Sequence, residues 1–445
     1  MDVVEELLAK AKKPALDAMK LHHFYQGKIQ IALKCAIRSF NDFAIWYTPG
    51  VAEPCKAIKT NKELSYEYTN RANTIAVVSD GTRVLGLGDI GPEAGMPVME
   101  GKSLLFKYLG GVDAIPICLD TKDPEEIIKV VKYLQPNFGG INLEDISQPK
   151  CFYILERLRN EMDIPVWHDD QQGTATVVVA GLINALKLVG KDIRQAKVVI
   201  LGAGASGICT ARVLIMAGVK AGNIIMLDSQ GILHPGRENL QKEYKEKWEM
   251  CLKTNKEGRS GDLAEALVGM DTVVGLSRPG PGVIKKEWVT TMSKDAIVFA
   301  CANPIPEIWP WEAKEAGARV VATGRSDFDN QVNNSLGFPA IFRGALDVRA
   351  KTISDEMCLA AAFELARFAE EKGLTDTCIL PRMDDPDVFP QVAVVVALKA
   401  IEQGLHRIEL SKELLYDKAV KMIKGAQEMT ALLMKEGFIP EAPAE

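Results

Sequence analysis

Two pairs of adjacent acidic residues stand directly after strand-like runs in the first part of the chain. Glu144 and Asp145 follow the apolar run INL, and Asp169 and Asp170 follow the run IPVWH. Strand ends are where α/β proteins build their sites, and carboxylates brought together repel one another unless a cation neutralises them. Oxygen ligands favour Mg2+ or Mn2+ over zinc, so the pairs indicate a divalent-metal site. On spacing alone, a solvated loop end is the commoner role of such a pair.

The dinucleotide-binding pattern GxGxxG occurs twice, and its surroundings separate the two copies. The copy GAGASG, at 202–207, follows the apolar run VVIL and continues unbroken into a helix-like segment. A second strand-like run ends at Asp228, 26 residues after Gly202. This layout predicts a pyrophosphate at a helix N-terminus and an acidic residue at the ribose hydroxyls. The predicted cofactor-binding residues are Gly202, Gly204, Ala205, Ser206, Gly207 and Asp228.

The other copy, GLGDIG at 86–91, is followed by Pro92, Gly95 and Pro97. Prolines and glycine in this arrangement predict that no helix begins directly after it. We therefore interpret this copy as a tight turn whose glycines let the backbone approach another part of the protein.

The choice between NAD and NADP depends on Asp228. Its carboxylate would repel a 2′-phosphate and so favours NAD. Basic residues such as Arg237 could still reach a phosphate, so NADP stays open.

The elements that position these residues change in pattern near Gln171. Before it, residues 1–27 are predicted to be helical and residues 73–90 to form two strands joined in a hairpin at Asp80-Gly81. After it, helices and strands alternate, which predicts a doubly wound parallel sheet. Beyond residue 350 the pattern is mostly helical.

The predicted fold is therefore α/β with three parts. An N-terminal α/β substrate and metal domain spans 1–165, and a Rossmann-type NAD(P) domain spans 166–350. A helical segment, 351–445, packs on the core or at a subunit interface. A hinge is expected near 163–172.

Composition excludes several other classes of protein. The formal net charge of −6 argues against a nucleic-acid or membrane-surface partner. The nine cysteines include no CxxC pair, which favours reduced thiols in a cytosol over disulfides or a cysteine zinc site. The first residues lack the apolar core of a signal peptide, and no apolar run reaches the roughly 18 residues of a membrane span. A cytoplasmic protein is expected.

Seven segments, in order over roughly 20–350, resemble the malic enzyme family in its compact prokaryotic-type form. They are YTPGVAEPC (47–55), GTRVLGLGDIGPEAGMPVMEGK (81–102), INLEDI (141–146), HDDQQGTA (168–175), GAGASG (202–207), ANP (302–304) and ATGRSDFDNQVNN (322–334). The resemblance implies oxidative decarboxylation of (S)-malate to pyruvate and CO2, with NAD or NADP and with Mg2+ or Mn2+. It also implies decarboxylation of oxaloacetate and a homodimer.

The same resemblance implies a role for each site residue. Position by position, it places the general base at Lys102, the proton donor at Tyr47, an acid beside the lysine at Asp169, metal ligands at Glu144, Asp145 and Asp170, a carboxylate-binding arginine at Arg83, and asparagines at Asn303 and Asn334 that contact the substrate, Asn303 also lying by the cofactor. Without the resemblance, Lys102 fits a surface lysine and Tyr47 fits a turn aromatic before Thr48-Pro49.

Two other functions are compatible with the dinucleotide pattern. A simple 2-hydroxy-acid dehydrogenase would not need the acidic metal cluster or the lysine and tyrosine pair. A non-catalytic NAD-binding regulator would tolerate the loss of Lys102, Tyr47 or an acidic ligand, yet all are present.

Overall fold

The computed structural model describes residues 3–443 as a mixed α/β protein with two parallel-stranded sheets. Among these described residues, no helix is both long enough and apolar enough to cross a membrane. The expected α/β fold, with a Rossmann-type sheet and a helical C-terminal part, is confirmed.

The first sheet has four parallel strands in the order β2-β1-β3-β4. The strands are β1 (Thr74–Ser79), β2 (Asp113–Cys118), β3 (Gly140–Leu143) and β4 (Val166–His168). Buried residues fill β1, β3 and β4, as expected for parallel strands covered on both faces. Pro116 lies on β2, where an edge strand tolerates the missing N–H.

The hairpin predicted at Asp80-Gly81 is wrong. β1 pairs with β2 on one side and with β3 on the other, so both of its edges are occupied by parallel partners. The chain after β1 instead forms a turn in which the Val84 N–H donates to the Gly88 carbonyl. Local turn chemistry favoured a hairpin, and the pairing of β1 with distant strands overrode it.

The second sheet has six strands in the order β10-β9-β8-β5-β6-β7. They are β5 (Val198–Leu201), β6 (Ile224–Asp228), β7 (Gly231–Ile232), β8 (Thr272–Gly275), β9 (Ala296–Ala300) and β10 (Ala318–Thr323). Only β7 runs antiparallel to its neighbour within this described sheet. The strand order reverses between β5 and β8, which creates a crevice at their carboxyl ends.

Helices cover both sheets and form most of the last hundred residues. They are α1 (Val3–Tyr25), α2 (Asp42–Trp46), α3 (Ala52–Thr60), α4 (Ser65–Tyr68), α5 (Pro92–Gly110), α6 (Pro124–Leu134), α7 (Lys150–Glu161), α8 (Thr174–Leu188), α9 (Ala205–Met216), α10 (Leu240–Glu243), α11 (Lys245–Lys253), α12 (Leu263–Leu267), α13 (Lys286–Val289), α14 (Pro310–Glu315), α15 (Phe338–Asp347), α16 (Asp355–Lys372), α17 (Val388–Glu402) and α18 (Lys412–Lys435). A single π-helical turn, Asp169–Gly173, leads from β4 into α8.

The start of α5 corrects a second expectation. The helix begins at Pro92, directly after the GLGDIG turn, and contains Pro97. Proline is well suited to the first helical position because its fixed φ matches the helix and its missing N–H would be unpaired there. Gly91, with φ 84°, makes the bend into the helix. α5 therefore runs long enough to carry Lys102 beneath the first sheet's carboxyl ends.

The C-terminal helices pack on both halves of the protein. α16 contacts α8, α17 contacts α15 and α16, and α18 contacts α5. The division at residues 165 and 350 stays a prediction, because these contacts join the three parts into one continuous core.

An aromatic cluster connects α15 to the first sheet. Phe342 packs edge-on against Phe106 of α5 at 5.2 Å between ring centroids and against Trp167 of β4 at 6.2 Å. Phe338, one turn earlier, lies 4.6 Å from Phe106. All four rings are buried, so the cluster fixes α5 relative to β4 and thereby the residues that follow each.

Truncation of Phe342 tests this connection. Phe342→Ala should lower the free energy of unfolding by about 3–5 kcal/mol, because it leaves a cavity among three aromatic rings. Urea unfolding followed by tryptophan fluorescence measures the change. Phe363→Ala, at a half-exposed phenylalanine on α16, is the matched control and should cost less than about 1 kcal/mol. Equal losses in both variants would contradict the role of the cluster.

Candidate active site

A cleft of about 1200 Å³ lies where the carboxyl ends of the two sheets meet. The residues after β3 and β4 form part of its wall, and the residues after β5, β8 and β9 form another part. Of the residues singled out in the sequence, those that line it are Arg83, Lys102, Glu144, Asp145, Asp170, Gly202, Gly204, Ala205, Ser206, Asp228, Asn303 and Asn334. Residues more than 100 positions apart are thus brought into one space.

Three carboxylates meet at one point of the cleft. Glu144, Asp145 and Asp170 each offer an oxygen, and these oxygens all lie within 4.8 Å of one another. Glu144 and Asp145 are buried at the end of β3, and Asp170 is half-buried in the turn after β4. The two acidic pairs of the sequence therefore converge because β3 and β4 are neighbours in the sheet.

The backbone around Asp145 holds this convergence in place. Asp145 adopts φ 55°, a left-handed conformation that Asp tolerates better than most residues. Its N–H donates to the Asp170 carboxylate at 2.9 Å, and its carbonyl accepts from the Arg83 N–H at 2.9 Å. Arg83 itself is exposed at the rim of the cleft.

Lys102 reaches the carboxylates from α5. Its ammonium contacts Asp169 in a short hydrogen bond and lies 3.3 Å from a Glu144 carboxylate oxygen. It also lies 4.4 Å from the centre of the Phe338 ring, a favourable position for a cation. Asp169 is fully buried beneath it and accepts from Trp167 and Asn334.

Burial and crowding change the acidity of the whole cluster. Burial raises the pKa of Glu144, Asp145 and Asp170 above their ordinary values, and the neighbouring carboxylates raise those of Glu144 and Asp145 further, although Lys102 works against the rise in all three. Burial acts to lower the pKa of Lys102, but the carboxylates of Asp169 and Glu144 outweigh it and raise that pKa. Without further positive charge, Lys102 is therefore a protonated ion-pair partner that cannot accept a proton.

The carboxylates fit a hard divalent cation. One oxygen of Asp145 is buried without any hydrogen-bond partner among the described residues, which is unusual for a carboxylate and leaves a lone pair available. Only oxygen ligands are offered, which favours Mg2+ or Mn2+. His168 is not one of the three, and burial lowers its pKa to about 4, so it remains a neutral core residue. A bound dication would also lower the pKa of Lys102 by opposing its charge.

The glycine-rich loop at 202–207 has the geometry that a pyrophosphate requires. Gly202 has φ 118°, and a side chain there would meet the Leu276 carbonyl at 2.3 Å. A side chain at Gly207 would meet the Gly202 carbonyl at 1.8 Å, so glycine is needed where α9 leaves the loop. No side chain caps the N-terminus of α9, whose first residues Ala205 and Ser206 line the cleft. The free N–H groups can receive an anion.

The GLGDIG turn at 86–91 brings its backbone close to another part of the protein, as predicted. A side chain at Gly86 would meet the Asn303 carbonyl at 2.4 Å, so this loop touches the segment after β9. The turn thus forms a wall between the two halves of the cleft.

Asp228 ends β6, as the dinucleotide pattern predicts, but two cations already hold it. Arg237 binds both of its oxygens, at 2.7 and 3.0 Å, and the Lys247 ammonium lies 2.9 Å away. The side chains are largely buried, and the two cations hold the pKa of Asp228 at about 2 in spite of its burial. The repulsion that Asp228 would exert on a 2′-phosphate is therefore compensated.

The structure does not bring Tyr47 to the cleft of its own chain. Tyr47 is 73% exposed and is absent from the described residues that line the cleft. Asn303 and Asn334 do line it, and Asn334 also donates to Asp169. Asp169 lies under Lys102 rather than on the surface of the cleft.

The sequence analysis missed two residues that line the cleft and one buried residue in contact with Lys102. Lys28, just after α1, lines the cleft and donates to the Pro97 carbonyl at 2.8 Å. Lys247 reaches Asp228 from α11, and Phe338 supports Lys102 from α15. None of the three lies in a recognisable sequence motif. Each stands at or beside a helix end, and only tertiary packing brings these helix ends close to the cleft.

A cleft that joins a dinucleotide loop to a lysine buried among carboxylates defines a two-part, dinucleotide-dependent oxidoreductase. Residues 26–159 match the family described as "Malic enzyme, N-terminal domain", and residues 171–402 match "Malic enzyme, NAD binding domain". The chain belongs to the malic enzyme family, which confirms the resemblance seen in the sequence.

Similar proteins cover nearly the whole chain. The bifunctional malic/malolactic enzyme of Bacillus subtilis is 50% identical over 91% of this chain and 98% of its own. The NAD-dependent malic enzyme of Geobacillus stearothermophilus is 51% identical over 86% of this chain and 78% of its own. The crystal structure of Entamoeba histolytica malic enzyme aligns with a TM-score of 0.96 and 51% identity, covering 99% of this chain and 92% of that one.

Removal of one carboxylate tests the metal site without an activity assay. Mn2+ should raise the melting temperature of the wild-type protein, because a cation that binds only the folded state stabilises it. Asp170→Asn should weaken Mn2+ binding by at least about tenfold. Glu436→Gln, at an exposed acid beyond α18, is the control and should leave the Mn2+ titration unchanged. An unchanged titration for Asp170→Asn would remove that residue from the ligand set.

The same titration has an expected pH dependence. The raised pKa values keep these carboxyls protonated at a higher pH than the ordinary values of 3.8 and 4.5. Protons then compete with the cation, so the apparent affinity for Mn2+ should decrease as the pH falls towards 4.5, and binding should release protons. Calorimetry in two buffers of different ionisation enthalpy measures the release. Metal uptake without proton release would contradict the raised pKa values.

Proposed function

We propose that this chain oxidises (S)-malate with NAD or NADP and decarboxylates the product to pyruvate and CO2, in a reaction that depends on a divalent metal. The observation that carries the proposal is Lys102, buried against Asp169 and Glu144 in a cleft that also contains the dinucleotide loop. The named activities of the similar malic enzymes support it.

The bound groups would supply two kinds of chemistry. A divalent cation held by Glu144, Asp145 and Asp170 would polarise a substrate oxygen and neutralise charge that develops there. A dinucleotide held at the 202–207 loop would supply the hydride acceptor. The remaining work is done by side chains of the chain itself.

Lys102 takes the proton from the malate hydroxyl while C2 is oxidised. Lys102 must have a neutral amine to accept this proton. Because Lys102 is buried, the charges of the groups around it determine whether the amine is protonated. Asp169 orients the amine by accepting its hydrogen bond from below. After CO2 leaves, the Lys102 ammonium returns the proton to the enolate oxygen, giving enolpyruvate. Oxaloacetate, added directly, would enter at the decarboxylation step.

Arg83 and two asparagines fit the carboxylates of malate. Arg83 is exposed at the cleft rim, where a guanidinium can bind a carboxylate with two hydrogen bonds. Asn303 and Asn334 offer amide groups on the side of the cleft that belongs to the dinucleotide-binding sheet. The substrate would thus lie between the two sheets.

Two features bear on cofactor choice and on location in the cell. The NAD preference expected from Asp228 stays a prediction, and the two cations bound to Asp228 make NADP an acceptable second cofactor.

All nine cysteines are free, which fits a reducing cytoplasm. A homodimer is part of the proposal.

The direct test is a set of initial rates. Malate is offered with NAD or NADP, with and without Mn2+, and reduced cofactor, pyruvate and CO2 are measured. The proposal expects pyruvate and CO2 in equal amounts and a requirement for the metal. Oxaloacetate as the stable product would instead indicate a simple dehydrogenase.

Removal of the base is the first mutational test. Lys102→Ala should lower the rate of malate oxidation by roughly 10²–10⁴-fold, because a positioned proton acceptor contributes that much. NADH binding, measured by fluorescence, should remain nearly unchanged. Lys129→Ala, at an exposed lysine on α6, is the control and should keep full activity. Normal turnover in Lys102→Ala would exclude the lysine as the base.

Reversal of one charge tests cofactor choice. Lys247→Glu should lower kcat/KM with NADP by at least about tenfold relative to NAD, because a charge-assisted hydrogen bond is worth about 1.5–3 kcal/mol. Rates with both cofactors at fixed malate give the ratio. Lys242→Glu on α10, which makes no contact with Asp228, serves as the control. An unchanged ratio would show that Lys247 does not face the 2′ position.

A further inference from the structure

A buried carboxylate without a counter-ion lies beneath the dinucleotide half of the cleft. Glu307 stands between β9 and α14 and is fully buried. Within the described residues 3–443, no lysine, arginine or histidine forms an ion pair with it. A buried charge is costly unless hydrogen bonds compensate for the water that it loses. The reason for its position must therefore lie in the groups that donate to it.

The Glu307 carboxylate joins the loops that follow two neighbouring strands. One of its oxygens accepts from the Ser277 N–H at 3.1 Å and from the Ser277 hydroxyl at 3.4 Å, just beyond β8. The other oxygen accepts from the Ala302 N–H at 3.0 Å, just beyond β9. Because both N–H groups belong to the main chain, the two loops are held apart by the width of one carboxylate group.

The packing around this carboxylate is tight. A side chain at Gly275, the last residue of β8, would meet the Glu307 carboxyl carbon at 2.7 Å. The Glu307 carbonyl accepts from the Ile284 N–H at 3.1 Å, which fixes its main chain as well. Burial raises the pKa of the Glu307 carboxyl, and the N–H groups of Ala302 and Ser277 oppose that rise. An ionised carboxylate, which only accepts, matches all three donors.

The two loops line the part of the cleft where the second half of a dinucleotide must lie. Residues 276–278 and 301–303 all belong to the cleft wall. In the proposed function, the 202–207 loop after β5 holds the pyrophosphate and Asp228 at the end of β6 faces the adenosine ribose. The rest of the cofactor must then extend over the ends of β8 and β9, on the other side of β5. The nicotinamide ring therefore meets the loops that Glu307 joins.

The loop after β9 also carries a group that faces the substrate. Asn303 follows Ala302 directly and lines the cleft. The metal cluster and Lys102, by contrast, belong to the half of the protein built on the first sheet. A shift of the 301–303 loop would thus move the nicotinamide ring and Asn303 relative to the substrate.

We propose that Glu307 is a positioning residue for hydride transfer. Its carboxylate holds the loops after β8 and β9 at the spacing that receives the nicotinamide ring, and through Ala302 it places Asn303 beside the substrate. Glu307 is not one of the described residues that line the cleft, so it acts through these loops. This inference rests on the proposed function for the reaction, and on the hydrogen bonds of Glu307 for the location.

Hydride transfer is sensitive to placement of this kind. The hydride leaves C2 of malate with both electrons of its bond and reduces the nicotinamide ring, while the hydroxyl proton passes to Lys102. The two carbons must approach to about 3–3.5 Å with aligned orbitals, and a misplacement of about 1 Å can cost roughly 10²-fold in rate. A carboxylate shared by both loops removes the freedom that would allow such a misplacement.

The first test replaces the carboxylate by an amide of the same size. Glu307→Gln offers one acceptor oxygen instead of two, so its NH2 group must face the N–H of Ser277 or of Ala302 and one loop is released. The kcat for malate oxidation should fall by roughly 10-fold to 10²-fold. A variant with the wild-type kcat would overturn the proposal.

Two ligands separate positioning from a general loss of structure, without any use of malate. ADP-ribose has the adenosine and the pyrophosphate but no nicotinamide, so Glu307→Gln should bind it with wild-type affinity. The preference for NADH over ADP-ribose should fall by about tenfold, which corresponds to the loss of one hydrogen bond to a charged group. Calorimetry measures both affinities. An unchanged preference, or an equal loss for both ligands, would overturn the proposal.

A second variant displaces the carboxylate without removing it. The new methyl group of Gly275→Ala would lie 2.7 Å from the Glu307 carboxyl carbon, so the carboxylate must shift while its charge is kept. The same selective loss of NADH binding is expected, which keeps the proposal testable if Glu307→Gln folds poorly. Wild-type binding of both ligands to Gly275→Ala would contradict it.

An exposed acid on the following helix supplies the matched control. Glu315 on α14 pairs with Lys286 at 2.6 Å and is 62% exposed in its side chain. Glu315→Gln makes the same chemical change and should leave kcat and both affinities unaltered. If the protein did not oxidise malate, the proposed function would fail, yet the ratio of NADH to ADP-ribose affinity would still decide the role of Glu307.

Discussion

The structure depends on the crowding of four carboxylates, three buried and one half-buried, around a single ammonium group. Glu144, Asp145, Asp169 and Asp170 are close in space, and Lys102 is the one cation packed directly among them in the described cluster. Such an arrangement is costly in a folded protein, because burial disfavours charge and like charges repel. The raised pKa values of the carboxyls express that cost. Strongly shifted pKa values are typical of functional sites, and in the proposed function a cation and a substrate complete this one.

Rigid elements of the fold hold the charged groups together in spite of this cost. β3 and β4 are adjacent parallel strands, so their carboxyl ends present the acids at one edge of the sheet. α5 brings Lys102 to the same edge, and the aromatic cluster of Phe106, Phe338 and Phe342 holds that helix in place. The dinucleotide loop belongs to a separate sheet, and because Gly86 has no side chain the 81–91 turn approaches the Asn303 carbonyl closely. Activity would thus depend on packing far from the reacting atoms.

Much of the fold could be predicted because strong local patterns coincide with it. The apolar run VVIL, the glycines that follow it and Asp228 all lie where the pattern placed them. The prediction of a hairpin at Asp80-Gly81 was wrong because the residues of a turn report only on local structure, whereas the strands that pair with β1 come from distant parts of the chain. The prediction that no helix begins directly after the GLGDIG turn was wrong. It treated Pro92 as a helix breaker, although proline is favourable at the first position of a helix.

The sequence by itself determined the family, because seven segments match it in order along the chain. It also predicted a dinucleotide site from the glycine spacing and a metal site from the acidic pairs, because each of these patterns lies within a short stretch of chain. Only the tertiary structure decided how those groups relate: that the acidic pairs share one point, that Lys102 is paired with Asp169, that Asp228 is already neutralised by Arg237 and Lys247, and that Tyr47 stands away from its own cleft. These are distances between residues remote in the chain. They are set by how strands pair and helices pack, which no short stretch of sequence records.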